Sequence, residues 1–71
     1  MKINNSIDLG TAIRKRRKQL GYTQSFVSEQ SGLSVSFISD TENGKPTGEI
    51  GKIINLVNLL GMDLSVTTRG E

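Results

Sequence analysis

The chain contains no cysteine and no histidine. These two absences exclude disulfides, thiol catalysis, zinc sites of the Cys/His type and the commonest general base. With no nucleophile–base pair or metal-ligand constellation among the remaining residues, neither an enzyme nor a cofactor is expected. Met1–Ile7 lacks the apolar run of a signal peptide, and nothing approaches the roughly 20 apolar residues of a membrane span. A cytoplasmic protein without membrane contact is expected. Proline occurs once, at Pro46, where it marks a connector, because it cannot continue a preceding helix.

With 71 residues there is room for one small domain, burying about 60% of its unfolded surface. A hydrophobic content of 34% supplies a compact helical core, though not a generous one. Oligomerisation is a usual remedy at this size.

The stretch Thr23–Gly44 organises the chain. Thr23 is suited to cap a helix over Gln24–Ser31, and Gly32 to end it in the left-handed conformation. Ser34 then caps a second helix running to Asn43 and stopping at Gly44. Two short helices joined by such a turn form a helix-turn-helix, whose second helix can lie in a DNA major groove. Rotation at 100° per residue puts Ile38 inward and Ser36, Ser39, Asp40 and Asn43 outward, with Val35 at the N-terminal edge. These side chains are short enough for a close approach to base edges, where hydroxyls meet donors or acceptors and Val35 a thymine methyl. Asp40 fits poorly near phosphates unless it accepts from a cytosine amine.

Upstream, Leu9, Ala12, Ile13 and Leu20 have helical spacing from about Ile7 to Leu20, with Gly10 weakening the first turn by about 1 kcal/mol relative to Ala. Arg14-Lys15-Arg16-Arg17-Lys18 holds five of the nine basic residues. Such a run cannot all face one way on a helix, so part of it is plain solvated surface. Beside a helix-turn-helix it reads as attraction to phosphates, and it fits a sequence pI near 9.3. In the next helix Val27, Ser28 and Ser31 should face inward, leaving Phe26 partly exposed.

After the Lys45-Pro46-Thr47 connector, Thr47 is placed to cap a helix over about Glu49–Leu60. Ile50, Ile53, Ile54, Val57 and Leu60 form its apolar stripe, with Leu56 and Leu59 off it. That wide apolar arc suggests a second contact surface. The tail then changes period: Met62, Leu64 and Val66 alternate with Asp63, Ser65 and Thr67, as in a strand. A lone strand in a helical chain needs a partner, and a second copy is the most economical one.

Taken together, Leu20-Gly21-Tyr22-Thr23-Gln24, Val27-Ser28, Gly32-Leu33-Ser34, Phe37-Ile38-Ser39 and Glu42-Asn43-Gly44-Lys45 resemble the Cro/C1-type (XRE family) helix-turn-helix of phage repressors, over about Leu9–Leu60. Gly44-Lys45-Pro46-Thr47, Ile50-Gly51-Lys52, Leu56, Leu59-Leu60-Gly61 and the tail are similar to HipB-like antitoxins of the Y4mF type. The resemblance implies an all-α, lambda-repressor-like bundle of four helices with an intersubunit β-ribbon. It further implies a homodimeric repressor that binds double-stranded operator DNA and a HipA-like kinase toxin. Carried over, Gln24 contacts phosphate and braces the recognition helix. Val35 and Ser36 are the first base-reading positions, and Ser39 and Asp40 the later ones. Asn43 and Lys45 belong to a phosphate-contacting loop, with the caps Thr23 and Ser34 grouped beside them. Arg17 and Glu42 match a partly buried ion pair. Val35 departs from a frequent glutamine, which leaves the operator sequence open. Thr41 departs from a larger apolar residue, which suggests a looser core.

The expected organisation is a flexible arm over 1–6, a helix-turn-helix domain over 7–61 and a dimerisation strand with tail over 62–71. Leu59, Leu60, Leu64 and Val66 are the dimerisation residues. The expected function is that of an operator-binding repressor and antitoxin. A stand-alone phage-type or metabolic repressor and a protein-interaction module without DNA binding are the alternatives. The former ordinarily carries an effector or cleavable domain for which 71 residues leave no room.

Overall fold

The computed structural model describes residues 1–70. It contains four helices: α1 (Ser6–Gln19), α2 (Gln24–Ser31), α3 (Val35–Glu42) and α4 (Ile50–Leu59). Local chemistry sets most of these boundaries. The first begins one residue earlier than expected because Asn5 caps it, its side chain accepting from the Asp8 amide at 2.8 Å. Thr23 and Ser34 cap α2 and α3, their hydroxyls accepting from Phe26 and Phe37 at 3.0 Å. Gly32 closes α2 at φ 76°, a conformation that costs a residue with a Cβ but not glycine.

The start of α4 departs from expectation. Thr47 lies in a turn of the connector, the N-cap is Glu49, and no side chain caps this helix. Packing holds α4 instead, through Ile53, Leu56, Val57 and Leu60, all buried. Its apolar stripe is therefore rotated from the expected one. Leu56 is in the core, whereas Ile50 and Ile54 lie at the surface.

The core joins all four helices through Ile13, Val27, Ile38, Ile53, Leu56, Val57 and Leu60, surrounded by Leu9, Leu20, Tyr22, Leu33, Phe37 and Met62. Each fully buried aliphatic chain contributes about 1.5–3 kcal/mol. Helix α3 packs on both α1 and α2, and α2 also meets α4. Helix α3 is thus held from two sides by its inward face, and its outward face stays clear.

At Gly10, α1 comes unusually close to α3. A Cβ on Gly10 would stand 2.7 Å from the Glu42 carbonyl oxygen and closer still to that of Thr41. What looks in sequence like a weak first turn is the contact point between the two helices. Thr41 is buried here, its hydroxyl donating to the Phe37 carbonyl at 2.8 Å. The contact is one of backbones, while Thr41 also lines an open cavity of about 150 Å³ with Phe37, Asp40 and Lys45.

The tail requires a correction. Among the described residues no strand forms, and Met62–Thr68 is irregular. The reason lies in the backbone: an isolated extended segment has nothing to donate to or accept from, so no ladder exists within one chain. Met62 belongs to the globular body, packing on the core while its amide donates to the Val57 carbonyl at 3.1 Å. Beyond it the tail and residues 1–4 of the arm flank an open cleft of about 590 Å³.

Candidate nucleic-acid interface

The outward face of α3 carries Ser36, Asp40 and Asn43 exposed and Ser39 half-buried, with Val35 exposed at 41% and Ser34 at the N-terminal edge. Lys45 extends this face past the end of the helix, its ammonium 3.5 Å from the Asp40 carboxylate. Thr23 lies exposed at the start of α2 and Gln24 half-buried beside it. The α2 cap uses the amides of Phe26 and Val27, leaving those of Gln24 and Ser25 to meet an anion at the positive end of the helix.

Arg17 and Glu42 fix the orientation of this face. The guanidinium donates from Nε to Oε2 at 2.7 Å and from Nη2 to Oε1 at 2.9 Å, a bidentate fork. Its Nη1 donates to the Tyr22 carbonyl at 2.9 Å. Both side chains are nearly buried, at 11% and 2% exposure. The hydrogen bonds to Glu42 hold the Arg17 guanidinium above its ordinary pKa against the opposing effect of burial, and Coulomb attraction adds to them. Gln24 joins from the other side, its Nε2 donating to Glu42 Oε1 at 3.3 Å. The Arg17–Glu42 pair therefore ties together the end of α1, the Tyr22 turn, the start of α2 and the end of α3.

The basic run divides by face. Arg14, Lys15 and Lys18 are exposed. Arg17 is committed to Glu42, and Arg16 turns inward to donate from Nε to the Leu60 carbonyl at 2.9 Å. Two of the five cations thus hold the fold together, leaving three on the surface. A sequence signal for this division exists: positions 16 and 17 stand three and four residues after the buried Ile13, on its side of the helix. Gly10, three residues before Ile13, lies on the same side.

The residues expected to support dimerisation also divide. Leu59, Leu64 and Val66 are surface residues, but Leu60 is 1% exposed and belongs to the monomer core. It cannot serve a second chain without opening the first. The ring of Phe26, partly exposed as expected, lies 4.7 Å from that of Tyr22, centroid to centroid.

Several comparisons bear on this geometry. Residues 13–66 match the helix-turn-helix family model HTH_3. Over 70 residues the chain is 33% identical to the uncharacterized HTH-type transcriptional regulator y4mF of Sinorhizobium fredii, covering 99% of this chain and 92% of that protein. Among solved structures the fold is similar to that of a HipB-O4 20mer complex, with a TM-score of 0.88, 23% identity and 97% of each chain covered. The HipA-HipB-O2-O3 complex gives the same TM-score, identity and coverage. At that identity the likeness is one of fold. The chain belongs to the HTH_3 helix-turn-helix family of XRE type, a family of DNA-binding transcription regulators.

Proposed function

We propose that this chain is a sequence-specific repressor that binds double-stranded operator DNA as a homodimer. The observation that carries this reading is the polar outward face of α3, held by the Arg17–Glu42 fork beside the free amides at the start of α2. In this arrangement Val35, Ser36, Ser39 and Asp40 meet base edges. Thr23, Gln24, Ser34, Asn43 and Lys45 meet phosphates, with Arg14, Lys15 and Lys18 adding attraction at longer range.

A dimer sets two such faces on successive turns of the groove, about 34 Å apart. Leu59, Leu64 and Val66 offer apolar surface for it, and an antiparallel ribbon of two tails gives each backbone the partner it lacks in one chain. The reading extends to an antitoxin that binds a HipA-like kinase toxin and represses its own operon. The motif similarity from Gly44 through Gly61 supports that extension, and among solved structures of this fold is a HipA-HipB-O2-O3 complex.

The test of DNA binding is selection from a random duplex pool, followed by titration of the selected site against salt. A consensus with two related half-sites is expected, with affinity falling steeply as salt rises. A protein that enriches no sequence is not an operator-binding repressor. For the antitoxin role, co-expression with a HipA-type kinase from the adjacent reading frame should restore growth and yield a co-purifying complex. Unrelieved toxicity with no complex would leave the repressor standing alone.

A further inference from the structure

Asp40 is unexplained by stability. It sits in the last turn of α3, where a negative charge opposes the helix dipole. Its one ion-pair partner among the described residues, Lys45 at 3.5 Å, is as exposed as it is, with side-chain exposures of 52% and 54%. Exposed pairs of this kind contribute little. A carboxylate on a face that approaches phosphates is a cost to binding unless a base repays it. The surrounding face is made of Ser36, Ser39 and Asn43, with Val35 at its edge, so Asp40 is its only charged side chain within the helix.

We infer that Asp40 is a specificity determinant that reads a cytosine in each operator half-site, with Lys45 offsetting its charge against the phosphates. The inference rests on the DNA-binding reading above and names a base within it. A carboxylate only accepts hydrogen bonds. Guanine presents two acceptors in the major groove, and thymine an acceptor and a methyl group. Adenine presents a donor amine, but the acceptor N7 beside it repels the second carboxylate oxygen. Cytosine alone offers its N4 amine with no neighbouring acceptor on its own major-groove edge. Lys45 has three donors, so it can remain near the carboxylate while meeting a phosphate.

The test is parallel selection from a random duplex pool with the wild type, D40N and D40A, followed by binding to the selected duplexes. Asp40 is exposed at the surface, and circular dichroism is used to check that each variant is folded. The wild type is expected to require cytosine at one position of each half-site. N4-methylcytosine there should weaken binding about 10-fold, since pairing with guanine turns the methyl group into the groove and removes the donor. In D40N that position should shift toward adenine, the base an asparagine amide reads. D40A should lose the preference and bind unrelated DNA as tightly as the wild type or more so. K45A should weaken binding to every duplex, and adding D40N should restore part of that loss. A consensus whose cytosine is absent, or is retained unchanged by D40N and D40A, overturns the role of Asp40 and leaves the repressor reading intact. Enrichment of no sequence by the wild type overturns both.

Discussion

Gly10 of α1 lies against the backbone of Thr41 in α3 so closely that a methyl group at position 10 would overlap the Thr41 carbonyl oxygen. This contact sets the depth at which the recognition helix is seated. Helical propensity and packing make opposite demands here. In the interior of an exposed helix, Gly→Ala ordinarily stabilises by about 0.5–1 kcal/mol. Here the new atom meets backbone, which cannot swing aside.

Gly10→Ala is therefore expected to destabilise the fold by about 1–3 kcal/mol, the cost of overpacking. Urea or thermal unfolding measures the change. A variant as stable as the wild type, or more so, would show that α1 and α3 are not held at this distance.

Arg17→Met should cost about 3–5 kcal/mol, because it leaves the Glu42 carboxylate buried and unpaired. Replacing Glu42 as well should recover part of that loss, since no stranded charge remains. A double-mutant cycle in unfolding free energy reads this coupling. Additive losses in the cycle would show that the two side chains act independently.

The surface cations and the inward one should separate by phenotype. Arg14→Ala is expected to weaken binding to all duplexes alike and lower the salt slope by about 1, with unchanged stability. Arg16→Ala should instead lower the unfolding midpoint, because it removes the bond to the Leu60 carbonyl. Ser36→Ala should alter preference at one base position by about 1 kcal/mol or more. If Arg14→Ala and Arg16→Ala prove indistinguishable in both assays, the division of the basic run by face is wrong.

Ending the chain after Asp63 should leave a folded monomer with much weaker operator binding. The cut spares Met62, which packs on the core, and removes Leu64 and Val66. Analytical ultracentrifugation reports the mass. A dimer that survives the cut, binding its site undiminished, would place the interface elsewhere, with Ile50, Ile54 and Leu59 as the exposed apolar side chains left on α4.

The sequence by itself determined where α2 and α3 begin and, to within a residue, where all four helices stop. Thr23, Ser34, Gly32 and Gly44 act through bonds to residues a few positions away, and such local chemistry is written in order along the chain. It also determined the outward face of α3, since one inward residue, Ile38, fixes the rotation of a short helix. Tertiary structure decided what depends on a second element. Five consecutive cations look alike until the end of α4 takes Arg16 and the end of α3 takes Arg17. Gly10 looks like a flaw until α3 lies against it. The α4 stripe, apolar over a wide arc, has several rotations compatible with burial, and packing on α2 selected the one that hides Leu56 and Leu60 and leaves Ile50 and Ile54 outside. The tail marks the limit of both. Its alternating pattern supplies strand-forming side chains, but a ladder needs two extended segments, and this chain has only one of that pattern.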